Sequence, residues 1–228
     1  MPEPLSPERT AVVVVDMVNH QCTPGRGMLA AWDDAGIDVS YIVERIRTTT
    51  IPANQRLLAA ARAAGAKVGF LRVGAYDAGY DDLTPSFRGI AAWEPRADLW
   101  GSWVIDALPV SPGDLSLIKT GSGGFYTSAL DSHLRNMGIE NVIYTGVITN
   151  GCVLLTAAGG MDRGYRGFLA SDATATVNET LQRTTERLID GFVGTVASTD
   201  VLIEVLTGDD AALPPPVNPV AMWSKDPC

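Results

Sequence analysis

Three side chains that together can carry out acyl transfer, Asp16, Lys119 and Cys152, each end or closely follow a short apolar run of the sequence. A thiol becomes an effective nucleophile when a base takes its proton, and a carboxylate such as Asp16 can do this. A neighbouring ammonium group favours the thiolate. Taken singly, each residue has an ordinary structural interpretation, because aspartates cap turns, lysines extend to solvent and lone cysteines pack in cores. Their chemistry therefore depends on the fold bringing them together.

The apolar runs before these residues predict buried parallel strands at 11–15, 115–119 and 142–147. Because the carboxyl ends of parallel strands share one edge of the sheet, we expect Asp16, Lys119 and Cys152 to meet at the edge where such sheets bind ligands. The residues after Cys152 are typical of a helix. A cysteine at a helix N-terminus is expected to favour the thiolate.

The rest of the chain alternates strands and helices. Further strands are predicted at 67–73, at 167–171 (ending in Asp172) and at 195–198, and helices at 38–64 (with a break or kink near Pro52), 127–137, 152–164, 178–189 and 199–206. Residues 17–36 are predicted to form a loop, and 74–113 is the least regular part. This order predicts an α/β, three-layer Rossmann-like fold with a six-stranded, mostly parallel sheet and helices on both faces.

Length and composition restrict the class of protein. The chain of 228 residues fits a single domain spanning 1–228, with 1–9 and 209–228 as peripheral tails. No apolar run approaches the ~20 residues of a transmembrane helix, and the acidic, Pro-containing N-terminus is unlike a signal peptide. The net charge of −9 argues against nucleic acid or anionic membranes as partners. Three scattered cysteines fit a reducing compartment, so we expect a cytoplasmic protein.

The sequence resembles the isochorismatase-like family of cysteine hydrolases in three motifs: VVDMVN at 14–19, IK at 118–119 followed by GGFYT at 123–127, and TGVITNGCV at 145–153. The resemblance extends from about residue 10 to the sixth predicted strand. It implies that Asp16, Lys119 and Cys152 form a catalytic triad. It also implies a cis peptide between Val147 and Ile148, which would direct the N–H groups of Ile148 and Cys152 toward one point as an oxyanion hole.

The segments 16–25, 35–40, 101–103 and 110–114 are similar to the ureidoacrylate and N-carbamoyl amidohydrolase branch of that family. This implies a cysteine-dependent amidohydrolase that cleaves a C–N bond of a small amide or ureido/carbamoyl compound through a covalent thioester. Two alternatives stay open: a thiol hydrolase acting on an ester or carbamate, and a non-catalytic member acting as a binding protein. The intact triad counts against the second, since a binding protein has no need of it.

The resemblance also bears on cofactors and assembly. Nicotinamidases of this family carry a histidine-containing metal site after the second strand, but residues 71–77 include no histidine, so we expect no metal and no cofactor. Siderophore-type isochorismatases lack the cysteine nucleophile, so Cys152 argues against vinyl-ether cleavage. Members of the family are usually homo-oligomers, and the same is expected here.

Six side chains near the motifs are predicted to contact substrate: Asn19, Arg72, Trp100, Trp103, Phe125 and Tyr126. Arg72 can bind a carboxylate through two hydrogen bonds or form a structural ion pair, and the aromatic rings can equally pack in the core. His20 and Cys22 depart from the usual sequence of the branch. The sequence alone leaves open whether they, or residues 74–113, line the pocket.

Overall fold

A six-stranded sheet forms the centre of the computed structural model, which describes residues 5–89, 93 and 95–208. All strands pair in parallel, in the order β3-β2-β1-β4-β5-β6. The strands are β1 Thr10–Val15, β2 Lys67–Val73, β3 Leu115–Lys119, β4 Asn141–Val147, β5 Arg166–Ala175 and β6 Thr195–Ala197. The order reverses between β1 and β4, the position at which open α/β sheets bind ligands. The predicted α/β fold class is confirmed, whereas the predicted tail 209–228 lies outside the described residues.

Helices cover both faces of the sheet. They are α1 Asn19–Cys22, α2 Gly27–Asp34, α3 Ser40–Arg45, α4 Ile51–Ala64, α5 Pro85–Arg88, α6 Gly124–Thr127, α7 Leu130–Asn136, α8 Leu154–Met161, α9 Glu179–Leu188 and α10 Thr199–Thr207. The side chains of β1 alternate between two cores. Val12 and Val14 belong to the core shared with α3, α4 and α10, and Val13 and Val15 to the core shared with α7 and α8. Every residue of β1 is buried, as expected for a central strand covered on both faces.

The prediction of a loop over residues 17–36 is wrong, because α1 and α2 lie in this stretch. All four residues of α1 are buried, as are Met28 and Leu29 of α2. Helices this short are stabilised by tertiary packing more than by their own sequence, so the absence of a clear periodicity did not exclude them.

Two other boundaries differ from prediction. The helix expected at 127–137 corresponds to α7, which begins three residues later, and the separate short helix α6 precedes it by two residues. Strand β5 continues past Asp172 to Ala175, and its pairing with β4 changes register between Tyr144 and Gly146. This bulge lets β5 extend toward the carboxyl edge despite its polar residues.

A π-helical turn, Ile46–Thr50, joins α3 to α4 just before Pro52. Proline has no N–H and its ring crowds the preceding turn, so a widened turn at this point fits the break predicted from the sequence. Within the described part of the chain, every helix is too short or too polar to cross a membrane.

Candidate active site

Asp16 directly follows β1 and is fully buried, with a positive φ of 52°. Its N–H donates to the carbonyl of Leu71 at 2.8 Å. Its carboxylate Oδ1 accepts a hydrogen bond from the N–H of Val73, also at 2.8 Å. The end of β2 therefore fixes both the backbone and the side chain of Asp16 at the carboxyl edge of the sheet.

Lys119 is the last residue of β3 and is also fully buried. Its Nζ lies 2.7 Å from Asp16 Oδ2 and donates to the carbonyl of Gly121 at 2.8 Å. The ring of Phe87 lies 5.5 Å from Nζ, within the range of a cation–π contact. Burial alone would lower the pKa of this ammonium, but the ion pair with Asp16, together with the contact with Cys152, outweighs burial and raises its pKa. Lys119 is thus held in its charged form.

Cys152 lies in the turn that follows β4. The peptide bond between Val147 and Ile148 is cis, and a single π-helical turn, Thr149–Val153, follows it, with Gly151 in a non-helical conformation. The Sγ atom of Cys152 lies 3.4 Å from Lys119 Nζ. The structure therefore brings Asp16, Lys119 and Cys152 together at one edge of the sheet.

Lys119 favours the thiolate form of Cys152, as the sequence predicted, but burial has the larger and opposite effect. Burial is the largest effect on this group and raises its pKa to about 12, while Lys119 lowers the pKa and Asp16 raises it. Cys152 directly follows the non-helical Gly151 and precedes Val153, which already has helical backbone, so it stands at the start of the helical segment that continues as α8, as the sequence predicted. The resting thiol is protonated at neutral pH and has a carboxylate nearby to receive its proton.

The turn that carries Cys152 is fixed from α9 through Gln182. The hydroxyl of Thr149 donates to Gln182 Oε1 at 2.8 Å. The amide Nε2 of Gln182 donates to Glu186 at 2.7 Å and to the hydroxyl of Thr174 at 3.0 Å. The bond between Thr149 and Gln182 joins residues 33 positions apart in the chain, so the sequence alone gave no sign of it.

Ser122 is another contact of the nucleophile that the sequence did not single out. Its hydroxyl lies 3.5 Å from Cys152 Sγ, which lowers the pKa of the thiol slightly against the effect of burial. The signal that could have indicated it is its place in the glycine-rich loop directly after Lys119.

Asn19 ties the first motif to the loop that contains the two predicted tryptophans. Its side chain donates to the carbonyl of Trp100 at 2.9 Å, and its N–H donates to the carbonyl of Trp103 at 3.0 Å. The rings of Trp100 and Trp103 are about half exposed. The guanidinium of Arg26 lies 5.5 Å from the ring of Trp100. Asn19 therefore holds this loop against the residues that follow Asp16.

Arg72 does not join the triad. Its guanidinium donates to the hydroxyl of Ser116 at 3.0 Å and to the carbonyl of Ser102 at 2.9 Å. It lines a separate cavity of about 370 Å³, together with Trp103 and the segment 104–110, and no triad residue lines that cavity. Successive strand side chains face opposite sides of a sheet, so Arg72 lies on the opposite face from its neighbour Leu71, which belongs to the same hydrophobic cluster as Cys152.

Phe125 and Tyr126 are occupied by contacts within the protein. Phe125 is buried and packs against Tyr165 with ring centroids 5.3 Å apart. Tyr126 is mostly exposed, stacks on the guanidinium of Arg163 at 4.4 Å and donates to Asp162 at 3.3 Å. None of these contacts is with Asp16, Lys119 or Cys152.

His20 and Cys22 are both buried next to Asp16. The Nε2 atom of His20 lies 3.4 Å from the carbonyl oxygen of Val73. Cys22 Sγ lies 3.9 Å from the carbonyl oxygen of Asp16 and 4.0 Å from the sulfur of Met17. Burial raises the pKa of the Cys22 thiol far above its ordinary value, so Cys22 is an unreactive core thiol.

A parallel sheet of this order, with an aspartate, a lysine and a cysteine meeting at its carboxyl edge, has the architecture of an α/β cysteine hydrolase. The family model described as "Isochorismatase domain" matches residues 10–201, and the chain belongs to this family. The resemblance drawn from the three motifs is thereby confirmed.

Two sequence relatives are ureidoacrylate amidohydrolases named RutB. The protein from Methylorubrum extorquens is 34% identical over 92% of this chain and 88% of its own length. The protein from Stutzerimonas stutzeri is 35% identical over 89% of this chain and 86% of its own length.

Two solved structures are also similar. A cysteine hydrolase from Pseudomonas syringae pv. phaseolicola has a TM-score of 0.75 at 28% identity and covers 90% of this chain and 95% of its own. The N-carbamoylsarcosine amidase from Thermoplasma acidophilum has a TM-score of 0.66 at 30% identity and covers 84% of this chain and 97% of its own.

Proposed function

We propose that this protein is a cysteine-dependent amidohydrolase that cleaves a C–N bond of a small ureido or carbamoyl compound through a covalent thioester. The observation that carries the proposal is the buried contact of Lys119 with both Asp16, at 2.7 Å, and Cys152, at 3.4 Å. The relatives named as ureidoacrylate amidohydrolases and as an N-carbamoylsarcosine amidase support the choice of substrate class.

The first step in the proposed mechanism is a proton transfer coupled to attack. Because burial keeps the Cys152 thiol protonated, Asp16 must take the proton as Sγ bonds to the substrate carbonyl carbon. The positive charge of Lys119 stabilises the thiolate that develops, and it also holds the Asp16 carboxylate in place. A general base positioned in this way contributes ~10²–10⁴-fold to the rate.

The tetrahedral intermediate carries its negative charge on the former carbonyl oxygen. We assign the stabilisation of this oxygen to the N–H groups of Ile148 and Cys152, on the turn that follows β4. Fixed N–H donors in a buried site lower the barrier because they need no reorganisation as the charge forms. The hydrogen bond from Thr149 to Gln182 keeps this turn in place.

The intermediate collapses when the C–N bond breaks. Asp16 returns its proton to the leaving nitrogen, and Cys152 retains the acyl or carbamoyl group as a thioester. A water molecule then gives its proton to Asp16 and attacks the thioester carbonyl. The thiolate leaves, receives the proton from Asp16, and the enzyme returns to its starting state.

The predicted substrate contacts divide into two groups. We propose that Asn19 shapes the pocket by holding the loop with Trp100 and Trp103 against the residues after Asp16. Arg72 and Tyr126 make their described contacts away from the triad, whereas Phe125 shares a hydrophobic cluster with Cys152. A substrate contact by these three residues stays a prediction. The homo-oligomeric assembly and the cytoplasmic location stay predictions.

The test is ammonia release from a panel of small ureido compounds, carbamoylated amino acids and simple amides, each with a matched ester. Wild-type protein and Cys22→Ala should release ammonia from a ureido or carbamoyl compound, while Cys152→Ser should not. The Cys22→Ala variant removes the other described buried thiol and so controls for general disturbance of the core. Turnover of the esters alone would favour the ester hydrolase, and no turnover by folded wild-type protein would favour a binding protein.

A further inference from the structure

His20 is a buried histidine beside the triad that the proposed mechanism does not use. It lies in α1, and only 2% of its surface is exposed. Val73 links it to Asp16, because the Val73 N–H donates to the Asp16 carboxylate while the Val73 carbonyl faces His20 Nε2. The charges of both Asp16 and Lys119 also act on the imidazole: Asp16 raises its pKa and Lys119 lowers it.

The neighbour of Nε2 fixes which nitrogen carries the proton. A carbonyl oxygen only accepts hydrogen bonds, so Nε2 carries the proton that points to Val73. Burial lowers the pKa of His20 and outweighs the opposite effect of Asp16, so the ring is neutral. In a neutral imidazole with a protonated Nε2, Nδ1 is an acceptor.

That acceptor has no partner among residues 5–89, 93 and 95–208, although it is buried. The ring of Trp93 lies near the imidazole, with centroids 6.2 Å apart, but it lies tilted and offers packing rather than a hydrogen bond to Nδ1. Buried polar atoms in native proteins nearly always have a partner, and an exception often marks a position that a ligand completes.

We propose that His20 Nδ1 accepts a hydrogen bond from the substrate N–H that joins the carbamoyl group to the rest of the molecule. This inference rests on the proposed function and makes it more specific. A ureido group offers its carbonyl oxygen to the N–H groups after β4 and an N–H to His20. A carbamate ester has an oxygen in place of that N–H. Because this oxygen and His20 Nδ1 are both acceptors, they cannot form a hydrogen bond and would repel each other. A site built to pair with a substrate N–H discriminates strongly against analogues that lack it.

Two substitutions of His20 distinguish the roles of its two ring nitrogens, because each keeps a polar atom at only one of the two positions. His20→Gln can reproduce the donor at Nε2 but leaves no acceptor at the place of Nδ1. His20→Asn can place its side-chain oxygen where Nδ1 lies. The quantity to measure is the ratio of kcat/KM for N-carbamoyl-β-alanine to that for its carbamate analogue, in which oxygen replaces the N–H. A ratio between two substrates does not depend on the fraction of folded enzyme.

We expect His20→Gln to lower this ratio by ~10–100-fold, the effect of losing one hydrogen bond to a buried group. His20→Asn should keep a clearly larger ratio than His20→Gln. An unchanged ratio in His20→Gln, with both substrates turned over by the wild type, would overturn this inference and leave the proposed function standing. Absence of ureido and carbamoyl turnover in the wild type would overturn both.

A binding measurement provides a second readout that does not require turnover. The chain has only two histidines, so the ¹⁵N signals of His20 in Cys152→Ala protein can be assigned by comparison with His133→Gln. The signal of the unprotonated Nδ1 should move upfield when N-carbamoyl-β-alanine binds and stay in place with the carbamate analogue. Equal responses to the two ligands would contradict a hydrogen bond to the substrate N–H.

Discussion

The carboxylate of Asp16 lies 2.7 Å from the ammonium of Lys119, and neither side chain is exposed to solvent. A buried pair of this kind loses its hydration on both sides, so each charge depends on the other. The same two charges act in opposite directions on the thiol of Cys152, since Lys119 lowers its pKa and Asp16 raises it. Changes to either residue should therefore affect stability, thiol reactivity and hydrolysis differently.

Asp16→Asn should make Cys152 more reactive while abolishing hydrolysis. Removing the carboxylate charge lowers the pKa of the thiol, because Asp16 no longer opposes the effect of Lys119, so more thiolate forms at a given pH. Alkylation by iodoacetamide at pH 8 should become faster, and its pH profile should move to lower pH. Hydrolysis should fall ~10²–10⁴-fold, because the general base is gone.

Cys152→Ser is the control for this experiment. If the alkylated residue is Cys152, this variant should not be labelled by iodoacetamide. Slower alkylation of Asp16→Asn than of wild type would contradict the assigned electrostatic effect of Asp16.

Lys119→Met should destabilise the protein strongly. Methionine approximates the shape of the side chain but leaves the Asp16 carboxylate buried without its cation, at a cost of about 3–5 kcal/mol. The free energy of unfolding from urea titrations measures this loss. The double variant Asp16→Asn with Lys119→Met removes both charges and should recover much of the stability. A double variant no more stable than Lys119→Met would show that the ion pair is not the cause.

Gly146→Ala should disrupt the contact between β4 and β1. Gly146 has a φ of 104°, and a Cβ atom there would overlap the carbonyl of Val15. We expect a loss of about 3 kcal/mol or more in the free energy of unfolding. Gly164→Ala is the matched control: Gly164 has a φ of 85° but open space around its Cβ position, so the loss should be about 1 kcal/mol. Equal losses in both variants would show that backbone conformation, not close approach, decides the effect.

Thr149→Val should reduce kcat more than it changes KM. The substitution keeps the shape of the buried side chain but removes the hydroxyl that donates to Gln182 Oε1 at 2.8 Å. The turn that carries Cys152 is then less firmly held, and we expect kcat to fall about tenfold.

Thr185→Val, on the same helix as Gln182, removes a hydroxyl whose bond within the described part of the chain is to the carbonyl of Leu181. Its kcat should stay near that of the wild type. A similar fall in both variants would mean that general loosening of α9, not the bond to the turn, lowers the rate.

The strands and the triad were accessible to sequence reasoning because their signals are local. The predicted bounds of β2 and β3 match the structure, since each is a short segment rich in apolar residues with a glycine within two residues of either end. Asp16, Lys119 and Cys152 each stand at or just after such a run, and the parallel sheet brings those positions to one edge. The resemblance of the surrounding motifs added the identity of the family.

The remaining features depend on contacts between distant parts of the chain. The burial that keeps the Cys152 thiol protonated and the bond from Thr149 to Gln182 arise only when the layers assemble. The contact of Arg72 with Ser102 and Ser116, which turns its guanidinium away from the triad, has no local sequence signal either. The unpaired Nδ1 acceptor of His20 also depends on a distant contact, because the carbonyl that pairs with Nε2 belongs to Val73 in β2.

The most direct test of the proposed chemistry is to trap the covalent intermediate. Protein mixed with excess ureido or carbamoyl substrate and quenched in acid within the first turnovers should gain the mass of the substrate minus its leaving amine. Peptide mapping should place this adduct on Cys152, in Cys22→Ala as well as in wild type, with none in Cys152→Ala. Turnover that continues in Cys152→Ala, or proceeds in wild type without any adduct on Cys152, would contradict a thioester mechanism.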